Sequence, residues 1–348
     1  MATDRWKLKP KGSNWGEFGL DDQLGRLNLI TAEKVLQGIA EVREGRTFCL
    51  SLPLDKPGGN ALNPRRHPPV LRPTLRGDAV NFLATADGAP DVLCDDLVIM
   101  HLQYSTQWDA FSHVGGRFDV DGDGVEEHVF YNGFRAGADI AGPSDPQDAG
   151  VRASMKPDST SRAGKLGVEN AAAHGMQGRA VMIDLRAHLG DDRTYVGYDD
   201  LMRVMEADGV EVATGDMAVF HTGFAQRVLE METPDEAVLH GACAVLNGRD
   251  PKLLNWVTDS GVAALIADNY AVEGLPAQPC DHDHHVCSNL PLHEHCLFKN
   301  GIPLGELWHL TPLAGYLRAQ GRSRFLLTAP PLRLPGAVGS PVTPIATV

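Results

Sequence analysis

Apolar positions along the chain fall into short unbroken runs separated by stretches of helical spacing. Arg179-Ala-Val-Met-Ile-Asp-Leu185, Asp216-Met-Ala-Val-Phe-His-Thr222 and Val262-Ala-Ala-Leu-Ile-Ala-Asp268 are such runs, as expected of strands covered on both faces. Between and before them, Tyr198 to Asp208 and Pro251 to Gly261 carry the helical period, the second opening on proline and closing on glycine. Thr31 reads as the N-cap of a helix over 33–44, with Val35, Ile39, Ala40 and Val42 as its apolar positions and Gly45 as its stop. Residues 159–176 read as a loop and then a helix ending near His174-Gly175. Further strands are expected at 48–54, near 97–104 and from Phe325. This alternation predicts the α/β class. No linker or internal repeat interrupts it, so residues 1–348 read as a single domain with a packed N-terminal arm over about 1–30.

One region breaks the rhythm. Residues 55–92 are rich in Pro, Gly and Arg without a clear period, too long for an ordinary connection. Arg65, Arg66, Arg72 and Arg76 with His67 make it locally positive. It reads either as a solvated surface loop or as a lid whose arginine meets an anionic substrate.

Composition narrows the classes. At 43% hydrophobic and 22% charged, the chain can bury a large core. A net charge of −14 without any basic run argues against nucleic acid or an anionic membrane as partner. There is no apolar run of 18 residues for a membrane span, and the polar first residues lack the apolar stretch of an export signal. The six scattered cysteines therefore read as reduced thiols in a cytoplasm.

The densest chemistry lies between Gln103 and His113. Gln103, Gln107 and Asp109 would face one side of a strand running through them. Carboxamide and carboxylate oxygens suit a hard cation such as Mn²⁺ or Mg²⁺ better than Zn²⁺. His113, four residues past Asp109, could stand beside the ion and take a proton from an activated water. By the same parity Trp108 points to the core, although it is also a candidate substrate contact along with His128 and Tyr131. His128 reads as a pocket-lining residue or a strand cap. Ser112 points away from His113, and no Gly-x-Ser-x-Gly elbow exists, which argues against a serine nucleophile.

Thr106-Gln-Trp-Asp-Ala-Phe-Ser-His113 resembles the signature of the cyclase-type metal-dependent hydrolases, the family of kynurenine formamidase and isatin hydrolase. Their motif is His-x-Gly-Thr-His-x-Asp-x-Pro-x-His. Asp109 and His113 match it directly, Gln103 and Gln107 stand where it has histidines, and Ser105 and Phe111 replace its Gly and Pro. Asn14-Trp-Gly, Leu27-Asn-Leu-Ile-Thr, Phe130-Tyr-Asn-Gly133, His174 through Asp184, Asp268 through Glu273 and His293 through Leu307 are similar to a longer subgroup of the family. The resemblance implies a mixed sheet curled into a barrel-like core with helices outside, a homodimer or homotetramer, and a small-molecule substrate with an amide, lactam, lactone or ester bond. By position it places metal ligands at Gln103, Gln107 and Asp109, with a later His/Glu pair at His293 and Glu306. His295 is the alternative histidine. It makes His113 the catalytic acid/base. Two carboxamides in place of imidazoles disfavour a dinuclear zinc site and point to one Mn²⁺-like ion, with Zn²⁺ or Mg²⁺ as alternatives. A relative that has lost its metal and only binds a small molecule is the second expectation. The arm, with Trp6 and Trp15, is the candidate subunit contact.

Three further groups have plain readings. Asp119-Val-Asp-Gly-Asp-Gly starts like a calcium loop but has Phe130 where the bidentate Glu belongs, so it reads as an acidic turn. His282, His284 and His285 between Cys280 and Cys287 match no common zinc module. His221 reads as a sheet-face residue, and Asp184 and Asp268 either face a cleft or cap the next turn.

Overall fold

A computed structural model describes residues 5–76, 79–81, 84–85, 89–145, 148–150, 159–280 and 287–348. Nine described strands form one curled mixed sheet. Their order is Thr47–Cys49, Ile345–Thr347, Arg324–Thr328, Gln177–Asp184, Met217–His221, Ala264–Ala267, Leu304–Glu306, Gln107–Asp109 and Gly339–Pro341. The four from Gln177–Asp184 to Leu304–Glu306 run parallel, and the flanking pairs are antiparallel. The expected α/β class and curled sheet are both present.

The unbroken apolar runs are explained by cover on both faces. Val181, Ile183, Ala218, Phe220, Leu265 and Ala267 enter one core cluster. Their neighbours Ala180, Met182, Met217, Val219, Ala264 and Ile266 enter the other. Successive side chains point to opposite faces, so a strand buried twice shows no polar alternation.

The first helix, Ala32–Ala40, is shorter than expected and turns a different face inward. Thr31 caps it as predicted, its side chain accepting from the Lys34 N–H at 3.3 Å. Its buried residues are Lys34 and Gly38, while Leu36 and Ile39 are exposed. Lys34 Nζ reaches Asp216 Oδ1 at 2.9 Å, and Arg179 grips the same carboxylate. A Cβ at Gly38 would lie 2.8 Å from the backbone of Gly178 and Arg179. Close backbone approach and a buried ion cluster hold this helix, and an apolar-spacing argument does not register either.

Residues 55–92 are not one irregular loop. Val70–Arg76 pairs antiparallel with Asp96–Ile99 and with Ala79–Asn81, forming a sheet separate from the main one. Leu71, Leu75, Leu97 and Val98 on it are exposed. The N-terminal arm is tied to its own chain: Trp15 is 1% exposed and its Nε1–H donates to Phe298 O at 2.9 Å. The Asn132 carboxamide donates to Gly19 O and Leu20 O and accepts from Gly16 N–H. Trp15 is thus an internal anchor, which corrects its assignment to a subunit contact. Cys280 and Cys287 form a disulfide with Cα atoms 6.4 Å apart, correcting the expectation of six reduced thiols; His282, His284 and His285 lie outside the described residues. Among the described residues no helix is long and apolar enough to cross a membrane.

Both strand-end aspartates cap. Asp268 accepts from Thr222 N–H, Thr222 Oγ1–H and Gly223 N–H, each at 2.7 Å. Asp184 bonds His221 Nδ1 at 2.8 Å and accepts from Arg318 Nε and Ala187 N–H. Burial opposes the charge on Asp184, but these partners hold its pKa down at about 2. A carboxyl depressed on folding stabilises above its unfolded pKa and loses that contribution as pH falls through the folded value. Asp184→Asn should therefore cost about 2 kcal/mol near neutral pH. In chemical denaturation the gap to wild type should close between about pH 4 and pH 2; a pH-independent gap would contradict this.

Candidate active site

Gln107 and Asp109 share one face of a three-residue strand whose neighbour Trp108 faces the other way. Thr106 fixes the strand's start: its Oγ1–H donates to Leu307 O at 2.6 Å, and it accepts from Leu52 N–H at 2.8 Å. In the antiparallel ladder Glu306 stands directly opposite Gln107, and Leu304 opposite Asp109. On the other side Gly339 pairs with Asp109. The sheet register thus sets Gln107, Asp109 and Glu306 side by side.

His293 comes from a different element, the short helical turn Pro291–His293. Glu273 holds it. The Glu273 carboxylate accepts from the backbone N–H groups of Leu292 and His293 and bonds His293 Nδ1 at 2.8 Å. That bond occupies Nδ1 and leaves Nε2 for the cluster, 3.2 Å from Glu306 Oε1 and 3.7 Å from Asp109 Oδ2. A carboxylate behind an imidazole in this way fixes tautomer and orientation in metal sites.

Asp109, His293 and Glu306 each offer a ligand atom within 4.8 Å of the others. All are buried, as is Gln107. The Gln107 Nε2–H₂ donates to Glu306 Oε2 at 3.0 Å and to Asp109 Oδ1 at 3.3 Å. Two oxygens remain buried without a hydrogen-bond partner, Gln107 Oε1 and Asp109 Oδ2. Orphaned buried acceptors are costly, and a divalent cation at the cluster would satisfy Asp109 Oδ2, and Gln107 Oε1 once that carboxamide is turned end for end. Three or four donors, mostly oxygen, with one imidazole fit such an ion.

The protonation pattern agrees. Burial, then the charge of Glu306, pushes the Asp109 carboxyl well above the usual range. Burial opposes the charge on Glu306 too, but the hydrogen bond and charge of His293 hold it low. His293 suffers burial, yet its bonds to Glu273 and Glu306 raise it to about 10. The cluster keeps protons where it lacks another positive charge.

His113 closes the group. Its Nε2 lies 3.9 Å from Asp109 Oδ1, and its side chain is 22% exposed, against 0% for Asp109. Burial first, then the charge of His293, lowers its pKa to about 4. The imidazole is therefore neutral at pH 7 and able to accept a proton.

The other expected site residues divide. Gln103 is not on the strand. The chain leaves the Asp96–Ile99 strand and turns through 101–106 before Gln107. Its carboxamide nevertheless lies against Gly339, the ladder partner of Asp109, on the face that carries Asp109: a Cβ added there would come within 2.5 Å of Gln103 Nε2. Its carbonyl accepts from Arg66 Nη1 at 2.6 Å. His295 points elsewhere, to Thr258 Oγ1 at 2.9 Å, leaving His293 as the histidine of the cluster. Trp108 and Tyr131 are enclosed by protein, at 1% and 0% exposure. Trp108 Nε1–H donates to Ala329 O, and Tyr131 packs on Phe111 with its hydroxyl toward Asp22. Full enclosure corrects the expectation that either meets substrate. His128 is exposed and lines an open cleft of about 850 Å³ with Arg117, Glu294 and Phe298. Ser112 Oγ–H donates to Leu166 O. His221, between Asp184 and Thr311, is an internal sheet residue. Asp119 accepts from the N–H groups of Gly122, Asp123 and Gly124, forming the expected acidic turn. Sequence reasoning gave Glu273 no role, because nothing in its spacing marks it as the residue behind His293.

Two outcomes follow for metal binding. Because His293 must lose its proton to ligate through Nε2, Mn²⁺ affinity measured by calorimetry should rise with pH, about tenfold per unit for each proton displaced. Glu273→Gln should weaken Mn²⁺ binding by about 10- to 100-fold while leaving the ligands in place. Affinity indifferent to both would contradict the site.

The Cyclase family model matches residues 48–274 of the chain. A solved structure described as a novel cyclase shares 30% identity over 97% of each chain, with a TM-score of 0.74. Isatin hydrolase A from Labrenzia aggregata, bound to benzyl benzoate, superposes with a TM-score of 0.54 at 12% identity, covering 91% of this chain and 98% of its own. Isatin hydrolase A from Ralstonia solanacearum gives 0.52 at 15% identity over 91% and 97%. A search among curated proteins finds no match.

Proposed function

The chain belongs to the cyclase family, and we propose that it is a metal-dependent hydrolase of small amides, lactams, lactones or esters. The observation that carries this reading is the pair of orphaned buried oxygens, Asp109 Oδ2 and Gln107 Oε1, beside Glu306 and His293 and next to one half-buried imidazole, His113.

Asp109, Glu306, His293 and Gln107 would hold the ion. An oxygen-rich set of this kind favours Mn²⁺, with Mg²⁺ or Zn²⁺ as alternatives. When bound, the ion supplies a Lewis-acid charge that polarises a carbonyl and makes water more acidic. The chain's residues do the rest. Glu273 keeps the His293 imidazole in one tautomer and one orientation. Asp109 Oδ1 lies 3.9 Å from His113 Nε2, so that nitrogen stands at the rim of the cluster with its lone pair free. His113, neutral at pH 7, takes the proton from the attacking water at that nitrogen and returns it to the departing nitrogen or oxygen. The buried walls around Asp109 exclude bulk water, so these charges act in a weakly screened setting.

The proposal includes self-association as a homodimer or homotetramer. What supports it is the separate sheet around Val70–Arg76, whose leucines and valines are exposed; a small isolated sheet has little stability in water without cover.

A screen of N-formyl amides, lactams and lactones with Mn²⁺ added should reveal hydrolysis that chelation abolishes. His113→Ala should then lose roughly 100- to 10,000-fold in turnover and bind Mn²⁺ normally. Full activity in that variant would remove the mechanism, and light scattering that finds only monomer would remove the oligomer.

A further inference from the structure

Four arginines make residues 65–76 positive, and the structure separates them. Arg65 is exposed, Arg72 is exposed and bonds the carbonyl of Leu71, and the side chain of Arg76 lies outside the described residues. Arg66 differs. It is half-buried, and its Nη1–H donates to Gln103 O at 2.6 Å. It makes no ion pair with any described carboxylate, although its charge acts on Asp109, His113, Glu306 and Tyr270. A guanidinium serving only to neutralise the acidic centre would pair with Asp109 or Glu306. This one spends a single N–H on a carbonyl and keeps the others of its planar fork.

Arg66 also lines a narrow recess with Asn63, Tyr104 and Tyr270, about 10 Å³, room for one water-sized group such as a carboxylate oxygen. Two hydroxyls enter it. Tyr104 Oη–H donates to Gly59 O at 2.9 Å and is used. Tyr270 accepts from Asn63 Nδ2 at 3.0 Å, which leaves its own proton to give. Burial raises the Tyr270 pKa, so the proton stays. The next two residues, Ala271 and Val272, have φ values of 76° and 58°, left-handed backbone for side chains that disfavour it. That strained turn links Tyr270 to Glu273, the residue behind His293.

We propose that Arg66 and the Tyr270 hydroxyl bind a carboxylate on the substrate, so that the site takes small anionic acyl compounds in preference to neutral ones. The inference rests on the hydrolase reading and names its substrate class. A planar fork with a neighbouring hydroxyl is suited to a carboxylate. It would hold the substrate by its anionic end while the carbonyl reaches the Asp109–Glu306–His293 cluster. Arg66 is a specificity residue here and takes no part in bond making.

The test is a binding measurement, independent of turnover. Calorimetry of the Mn²⁺-loaded full chain would compare N-phenyloxamate with its neutral analogue N-phenyloxamide. Wild type should prefer the carboxylate by at least about tenfold, the size of a charge-assisted pair. Arg66→Gln should erase that preference without weakening Mn²⁺ binding, and Tyr270→Phe should reduce it in part. The proposal is overturned if wild type shows no preference or binds neither probe, or if Arg66→Gln retains the preference. It is also overturned if preference and Mn²⁺ affinity fall together, since Arg66 would then act only by supporting Gln103. Absence of hydrolysis by wild type would sink the hydrolase reading and leave this comparison standing.

Discussion

Burial of negative charge around one point is the constraint on which this structure turns. Asp109, Glu306 and Glu273 are all enclosed, and isolated buried carboxylates are strongly unfavourable. Each has found a different compensation. Glu273 is surrounded by two backbone N–H groups and an imidazole. Glu306 leans on His293 and on the Gln107 amide. Asp109 has the least, with one oxygen left unpartnered and its carboxyl driven toward the protonated form. A doubly charged cation would complete the cluster, which protons compensate only partly.

The fold supplies that geometry through register. An antiparallel strand of three residues, set between Leu304–Glu306 and Gly339–Pro341, fixes which side chains face each other. Trp108 and Trp308 pack edge to face with centroids 5.1 Å apart, and Trp308 Nε1–H donates to Gln107 O, so the rear of the strand is immobilised by packing. Leu307, just after Glu306, has φ 56°, and Ala271 and Val272 near Glu273 are left-handed as well. Such residues cost on the order of 1–3 kcal/mol each. Leu307 is held because its N–H donates to Asn269 O and its carbonyl accepts from Thr106 Oγ1–H. Strain thus sits immediately beside the two glutamates that organise the site.

Much of the sheet was legible because doubly buried strands leave continuous apolar runs, as at 179–185, 216–222 and 262–268. Asp109, His113 and Glu306 were legible through resemblance to the cyclase motif, whereas spacing to Glu306 did not separate His293 from His295. What escaped was information that sequence spacing does not carry. Gln103 was expected on the strand because hydrophobicity runs through 97–100; the chain instead leaves one sheet, turns, and enters another. Trp15 seemed available for a partner, yet its indole N–H is satisfied inside its own chain. The helix from Ala32 presents a lysine and a glycine inward, since its contact is a buried ion cluster and a close backbone approach. Glu273 and Arg66 act on residues far away in sequence, and only the folded chain brings them there.

The most direct measurement of the central claim is anomalous diffraction at the manganese edge from crystals grown with Mn²⁺. One peak is predicted, with Asp109, Glu306 and His293 among its ligands and Gln107 Oε1 turned toward it. A peak elsewhere, or none at this cluster, would contradict the account.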